Sequence, residues 1–101
     1  METKNFETGY LLATAQITSE MKKSGEFSVF CQNSLNRHKN CDWGDLCDDD
    51  KEENSLSLEN NNRILSSYNI PENLNIDSEN KIWIITEWDR SVTTILFPSE
   101  Y

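Results

Sequence analysis

The chain has 101 residues, of which 36% are hydrophobic and 27% are charged. This length favours one domain over residues 1–101, and the periodic clustering of the hydrophobic residues favours folding over intrinsic disorder. With 18 acidic against 9 basic residues the formal net charge is −9, which disfavours direct binding to nucleic acid and favours a protein partner with a basic face.

The sequence also bears on the cellular compartment. It opens without the basic segment and apolar run of a secretory signal, and no apolar stretch approaches the ~18 residues of a membrane-spanning helix. Three cysteines cannot all pair within one chain, and unpaired thiols are typical of a reducing compartment. These features predict a cytoplasmic protein with no membrane partner.

The first part of the chain predicts a short strand and two helices. An apolar run at residues 9–14 predicts the strand. Residues 15–24 predict a helix that ends in basic residues before Gly25, as helix C-termini commonly do. A second helix is predicted over residues 26–38, because six side chains at steps of three and four share one face: Phe27, Phe30, Cys31, Ser34, Leu35 and His38.

The middle of the chain predicts a loop and a third helix. Residues 39–47 predict a loop, in which Trp43 is expected to place its indole against the core. The helix is predicted over residues 48–60. One of the three aspartates that open it is expected to be the N-cap, with a glutamate three residues later as its capping-box partner. Leu56 is the expected apolar contact of this helix.

The last part of the chain predicts strands. Residues 63–68, 81–87 and 91–97 are rich in β-branched and aromatic side chains. The last two segments are separated by a short turn and are expected to form a hairpin, with 81–87 as the central strand. Helices followed by strands predict an α+β fold, in which N-terminal helices pack on a three- to four-stranded antiparallel β-sheet.

Three segments carry unusual residues in a distinctive order: RHKNCDWGDL, RILSSY and IWIITEWDRSVTTILFPSEY. Together they resemble a family of short proteins encoded by phages, plasmids and integrated mobile elements. The resemblance covers residues 8–101. The usual pattern of this family has Gly where this chain has Cys41, and Ala where this chain has Trp88.

The resemblance implies a small accessory protein of a mobile genetic element, present in the cytoplasm of a bacterial host. Mobile-element proteins of this size often inhibit host defence, and anti-CRISPR proteins are examples. By that analogy the expected partner is a host protein that handles nucleic acid. The resemblance implies no particular catalytic activity.

Most of the net charge lies in residues 42–53, where seven acidic residues are accompanied by Lys51 alone. Carboxylates in a row can mimic phosphates and steer a protein toward a basic groove, and exposed tryptophans can anchor such a contact. The sequence therefore predicts an inhibitor that occupies the nucleic-acid site of its partner. The predicted partner-binding residues are Asp42, Trp43, Asp45, Asp48, Asp49, Asp50, Glu52, Glu53 and Trp88.

Other interpretations stay open from the sequence. The carboxylates that a metal-dependent hydrolase or nuclease would use are Asp42, Asp45, Glu87 and Asp89. A zinc site of His38, Cys41 and Cys47 has donors of the right type, but its spacing matches no zinc finger or knuckle. A homo-oligomer would pair an exposed strand edge with its copy. We expect no catalytic residue, metal or cofactor, so partner binding is the first hypothesis.

Overall fold

The computed structural model describes residues 6–76 and 79–101. Each predicted helix and strand is present with bounds that differ from the prediction by at most one residue, and the α+β class is confirmed. The elements are β1 (Tyr10–Ala13), α1 (Ala15–Lys23), α2 (Gly25–Lys39), α3 (Asp48–Asn60), β2 (Ile64–Asn69), β3 (Lys81–Thr86) and β4 (Val92–Leu96).

The four strands form one sheet in the order β1-β4-β3-β2, so β3 is a central strand as predicted. The pairs β2–β3 and β3–β4 are antiparallel, with Ser66 opposite Ile84 and Ile84 opposite Ile95. The prediction of a purely antiparallel sheet was wrong, because β1 pairs with β4 in parallel. Parallel neighbours need a long crossover, and here the crossover contains all three helices and two strands.

Helices α1 and α2 cover one face of the sheet, called here the inner face. The predicted stripe of α2 is confirmed as its buried side. The core that it builds with α1 and the sheet consists of Ile17, Phe27, Cys31, Leu35, Tyr68, Ile70, Ile82, Ile84, Ile95 and Phe97.

Ser24 joins α1 and α2 at a tight corner. Its backbone N–H donates to the Glu20 carbonyl at the end of α1, and its side-chain oxygen accepts from Phe27 N at 3.1 Å at the start of α2. One residue therefore ends one helix and caps the next, which fixes the angle between them.

Helix α3 begins differently from the prediction. Its N-cap is Cys47, which makes no side-chain capping bond, and the three aspartates lie in the first turn instead. Leu56 was predicted as its apolar contact but is 47% exposed, while Asn54 and Ser57 are buried. The prediction failed because α3 lies beside the edge strand β2, where backbone groups rather than apolar side chains need partners.

Candidate functional site

The predicted binding loop around Trp43 covers the open edge of strand β2. Ser67 N donates to the Trp43 carbonyl at 3.3 Å, and Asp45 N donates to the Ser67 carbonyl at 2.7 Å. One residue pair further, Asn69 N donates to the Asp45 carboxylate at 2.9 Å. The loop thus acts as a short additional strand. It provides hydrogen-bond partners for backbone groups of β2 that could otherwise pair with another protein.

Asn54 completes the cover of this edge from helix α3. Its amide nitrogen donates to the Leu65 carbonyl at 2.6 Å, and its amide oxygen accepts from Leu65 N at 3.3 Å. A side-chain amide carries the same donor and acceptor as a peptide group, so Asn54 takes the place of a neighbouring strand. Sequence reasoning missed this residue because it looked for an apolar anchor on α3.

Asp42 holds the loop from its other side. Arg37 donates to both carboxylate oxygens of Asp42, at 2.7 Å from Nε and 3.2 Å from Nη2, and Gly44 N donates at 3.1 Å. These bonds, the one from Arg37 first, lower the pKa of Asp42. The Tyr68 hydroxyl donates to the Asp42 carbonyl at 2.7 Å. Asp42 therefore has a clear structural role.

Two backbone positions explain the tight shape of the loop. Gly44 has φ +74, and a Cβ there would lie 2.0 Å from the Ser67 carbonyl oxygen. Cys41 has φ 63, a left-handed conformation that favours glycine.

His38 lies behind the loop, in a buried network of hydrogen bonds. Its Nδ1 bonds to the Ser66 hydroxyl at 2.5 Å and its Nε2 bonds to the Thr86 hydroxyl at 2.8 Å. The network continues with a hydrogen bond between the Thr86 and Thr93 hydroxyls at 2.7 Å, and the Thr93 hydroxyl donates to the Thr8 carbonyl at 2.8 Å. Burial, followed by the nearby Arg90 charge, lowers the pKa of His38 to about 3. The imidazole is therefore neutral and occupied on both nitrogens.

Trp43 is only 6% exposed. Its ring centroid lies 5.9 Å from that of His38 and 6.0 Å from that of Phe6. The indole packs beside His38 in the core, as the sequence predicted. A side chain this buried cannot anchor a partner unless the loop opens.

The residues of the alternative hydrolytic and metal centres do not form a cluster of metal ligands in the described part of the chain. Within residues 6–76 and 79–101, no three His, Cys, Asp or Glu side chains lie close enough together to hold a metal ion. Asp89 instead accepts from Ser91 N at 3.0 Å and from its hydroxyl at 2.6 Å, which forms the hairpin turn. Burial raises the pKa of Cys31 to about 12, so its thiol is not activated.

The remaining acidic residues form the acidic face, defined here as Asp48, Asp49, Asp50, Glu52 and Glu53. All five are exposed. None of them forms an ion pair with another described residue. The ion pairs within the described residues join Lys23 to Glu20 and Arg37 to Asp42. The first two turns of α3 therefore present five carboxylates that the rest of the described fold does not neutralise.

A cleft of about 520 Å³ lies between the start of α3 and the outer face of the sheet, which is the face opposite α1 and α2. Asp50 and Glu53 contribute to one side, and the half-buried Trp83 and Leu65 contribute from the sheet. The cleft thus joins two carboxylates of the acidic face to an aromatic ring. Lys81 also lines the cleft, against three carboxylates, those of Asp45, Asp50 and Glu53. The excess of carboxylates beside an aromatic ring suits a cationic side chain.

Trp88 is 64% exposed at the tip of the β3–β4 hairpin. Arg90 in the same turn donates to the carbonyls of Ser57 and Asn62, at the C-terminal end of α3. The acidic face lies at the N-terminal end of this helix. The structure therefore places Trp88 and the acidic face at opposite ends of α3 and does not join them in one surface.

A comparison with known proteins finds no matching family model, no matching curated protein and no matching solved structure. Among the helices of residues 6–76 and 79–101, none has the length and apolar character needed to cross a membrane.

Proposed function

We propose that this protein is an acidic inhibitor from a phage or other mobile element, anti-CRISPR-like in its action. In the bacterial cytoplasm it binds a host protein that handles nucleic acid and occupies the basic surface of that protein. The observation that carries the proposal is the acidic face, with five exposed carboxylates and no ion-pair partner among the described residues.

The stability of α3 does not account for this charge. Acidic side chains in the first turn interact favourably with the helix dipole, but that benefit fades within one turn. Asp48 with Glu52, and Asp49 with Glu53, are like-charge pairs four residues apart, which destabilise a helix. Because these like-charge pairs destabilise the helix, the acidic residues are better explained by binding to another molecule than by the stability of α3. A field of one sign also speeds encounter with a basic surface.

The cleft beside Trp83 supports a partner with exposed arginine or lysine side chains. An alkyl stem can lie on the indole while the cationic group reaches Asp50 and Glu53. Such a contact adds an apolar component to an interaction that would otherwise depend on charge alone. It gives the acidic face a directional feature that a simple solubilising patch lacks.

The structure narrows the surface that the sequence suggested. Asp42 and Asp45 use their carboxylates to hold the loop, and Trp43 is buried. Trp88 is exposed but lies toward the other end of α3. The proposed surface therefore consists of the acidic face and the adjoining Trp83 cleft.

The test is capture of partners from a bacterial lysate, followed by purification of the captured protein and measurement of its nucleic-acid binding. The test variant carries Asp49→Asn, Glu52→Gln and Glu53→Gln. The control variant carries Glu7→Gln, Glu26→Gln and Glu72→Gln, three exposed acids outside α3. Both variants lose three negative charges, so a difference between them reports the position of the charge and not its amount.

We expect the unmodified protein and the control variant to retain a nucleic-acid-binding protein and to compete with its nucleic acid. The test variant should bind about tenfold more weakly, since each exposed charge contributes up to ~1 kcal/mol. Affinity should fall as salt rises. Equal binding by the two variants, or capture of nothing that DNA or RNA displaces, would refute the proposal.

A further inference from the structure

Strand β1 forms the other edge of the sheet, and within residues 6–76 and 79–101 no strand covers it. Tyr10 N donates to the Ser91 carbonyl and Thr14 N donates to the Ile95 carbonyl, so alternate residues of β1 face β4. Leu11 and Ala13 therefore direct their N–H and C=O groups away from β4. No further strand lies beside them in the described residues.

The two edges of the sheet differ in how far their backbone groups are covered. The β2 edge is covered by backbone from the Trp43 loop and by the amide of Asn54. On β1, Tyr10 is 81% exposed, and Leu11 and Leu12 are each 53% exposed. Proteins usually protect a bare edge with charges, proline or a bulge. The stretch from residue 8 to residue 19 contains no charged residue and no proline.

We propose that β1 pairs antiparallel with β1 of a second copy of this chain, which makes one continuous eight-stranded sheet across a two-fold axis. An edge with outward donors and acceptors is complementary to its own copy under two-fold symmetry. At a net −9, two copies repel one another, but residues 8–19 add no charge to the contact. One carboxylate, that of Glu100, lies beside the end of the strand, where it accepts from the Thr14 hydroxyl at 2.7 Å.

The outward groups of β1 fix the register of the pair. Leu12 meets Leu12 of the second copy on the axis as a non-hydrogen-bonded pair. Leu11 meets Ala13 of the second copy on each side, and each of these pairs exchanges both backbone hydrogen bonds. Leu12 and Tyr10 share the outer face, because they stand opposite Thr94 and Val92. Their exposed side chains are covered by the symmetric contact.

The start of helix α1, which follows β1 after one residue, carries no charged side chain. Its exposed residues near β1 are Ala15, Gln16 and Ser19, which are small or uncharged. The edge is only four residues long, so the contact falls in the size class of weak, transient interfaces. The dimer is therefore expected to depend on concentration and to strengthen as salt screens the repulsion between the acidic surfaces.

The test is analytical ultracentrifugation of the whole protein from roughly 1 µM to roughly 1 mM, a range that spans transient affinities. We expect monomer at the low end and a rising dimer fraction at the high end, larger at high salt. Leu12→Lys places two cations together on the axis and should abolish the dimer. Val29→Lys alters a side chain that is 59% exposed on α2, and it should leave the dimer intact.

A second measurement reads the register directly. In a Cys47→Ser background, Leu12→Cys should form an intermolecular disulfide under mild oxidation, since Cα atoms of a non-hydrogen-bonded pair lie within disulfide range. Leu56→Cys, also at an exposed leucine, is the control and should cross-link more slowly. Monomer at every concentration, equal loss with Val29→Lys, or equal cross-linking of the two cysteine variants would overturn the proposal. The acidic-face variants do not alter β1, so this test and the partner test fail independently.

Discussion

At the scale of single residues, the interior of this protein depends on polar side chains in apolar positions. The one histidine of the chain is held by hydroxyl side chains that point inward from three adjacent strands. Ser66 and Thr86 bond to the imidazole, and Thr93 bonds to Thr86. No buried side-chain nitrogen or oxygen lacks a hydrogen-bond partner among the described residues. This complete satisfaction is what makes a buried imidazole tolerable, since an unpaired buried polar group costs ~1–3 kcal/mol.

His38 makes stability depend on pH. Its pKa is about 3 in the fold, against 6.5 as the ordinary value, so above pH 6.5 the folded and unfolded forms are both neutral and stability is full. Below pH 6.5 the unfolded chain binds a proton that the fold excludes. We expect about 2 kcal/mol of stability to be lost between pH 7.5 and pH 5, measured by urea unfolding. In His38→Gln the loss over the same range should be much smaller; an identical pH slope would contradict the assignment.

Gly44 tests the covered edge of the sheet. Gly44→Ala adds a methyl group where the Ser67 carbonyl approaches within 2.0 Å, at φ +74. We expect a loss of about 2–4 kcal/mol in the free energy of unfolding, because the loop must leave β2 or the backbone must strain. Gly25→Ala is the matched control, since its Cβ meets nothing within 4 Å. Similar effects of the two alanines would show that the loop does not hold this edge.

At the scale of elements, α3 is fixed to the sheet through Asn54 more than through apolar contact. Asn54→Ala removes both bonds to Leu65 and leaves that peptide without its partner. We expect unfolding to become easier by about 1–3 kcal/mol in urea denaturation. Leu56→Ala should change it by less than about 0.5 kcal/mol, because Leu56 is exposed. A larger loss of stability in Leu56→Ala than in Asn54→Ala would show that Leu56 is the main contact of α3, as the sequence predicted.

At the scale of the whole molecule, the dominant feature is a charge of −9 on a protein with a radius of gyration of 13.3 Å. The Debye length at 0.01 M salt is ~30 Å, so the carboxylates repel one another across the molecule. Raising NaCl from about 10 mM to about 200 mM should therefore raise the unfolding temperature by about 2–5 °C.

Scanning calorimetry in a buffer of constant composition measures this salt effect. The variant with Glu7→Gln, Glu26→Gln and Glu72→Gln retains a net charge of −6, and its salt response should be smaller than that of the unmodified protein. A fall in the unfolding temperature with salt would show that local ion pairs outweigh the general repulsion. Salt thus has three expected effects here: it stabilises the fold, strengthens the proposed dimer and weakens binding to a basic partner.

The sequence by itself determined the helices and strands of this protein. Apolar spacing in α2, the glycine and serine at its start, and the β-branched runs of β3 and β4 are local signals, and local signals fix local structure. The sequence placed the acidic residues at the start of a helix but left open whether they are exposed, and the structure shows that they are. The parallel place of β1 did not, because strand order depends on contacts between residues about 80 positions apart.

Only the tertiary structure decided what the residues of the Trp43 loop do. In the sequence, Asp42 and Asp45 belong to the same acidic run as the aspartates of α3. In the fold, the Asp45 carboxylate accepts from Asn69 N of β2, and the Asp42 carboxylate accepts from Arg37 of α2 and from Gly44 N of the loop. The carboxylates of the acidic face stay in solvent. The difference arises because a hydrogen bond depends on which distant group comes within about 3 Å, and residue type alone does not specify that neighbour.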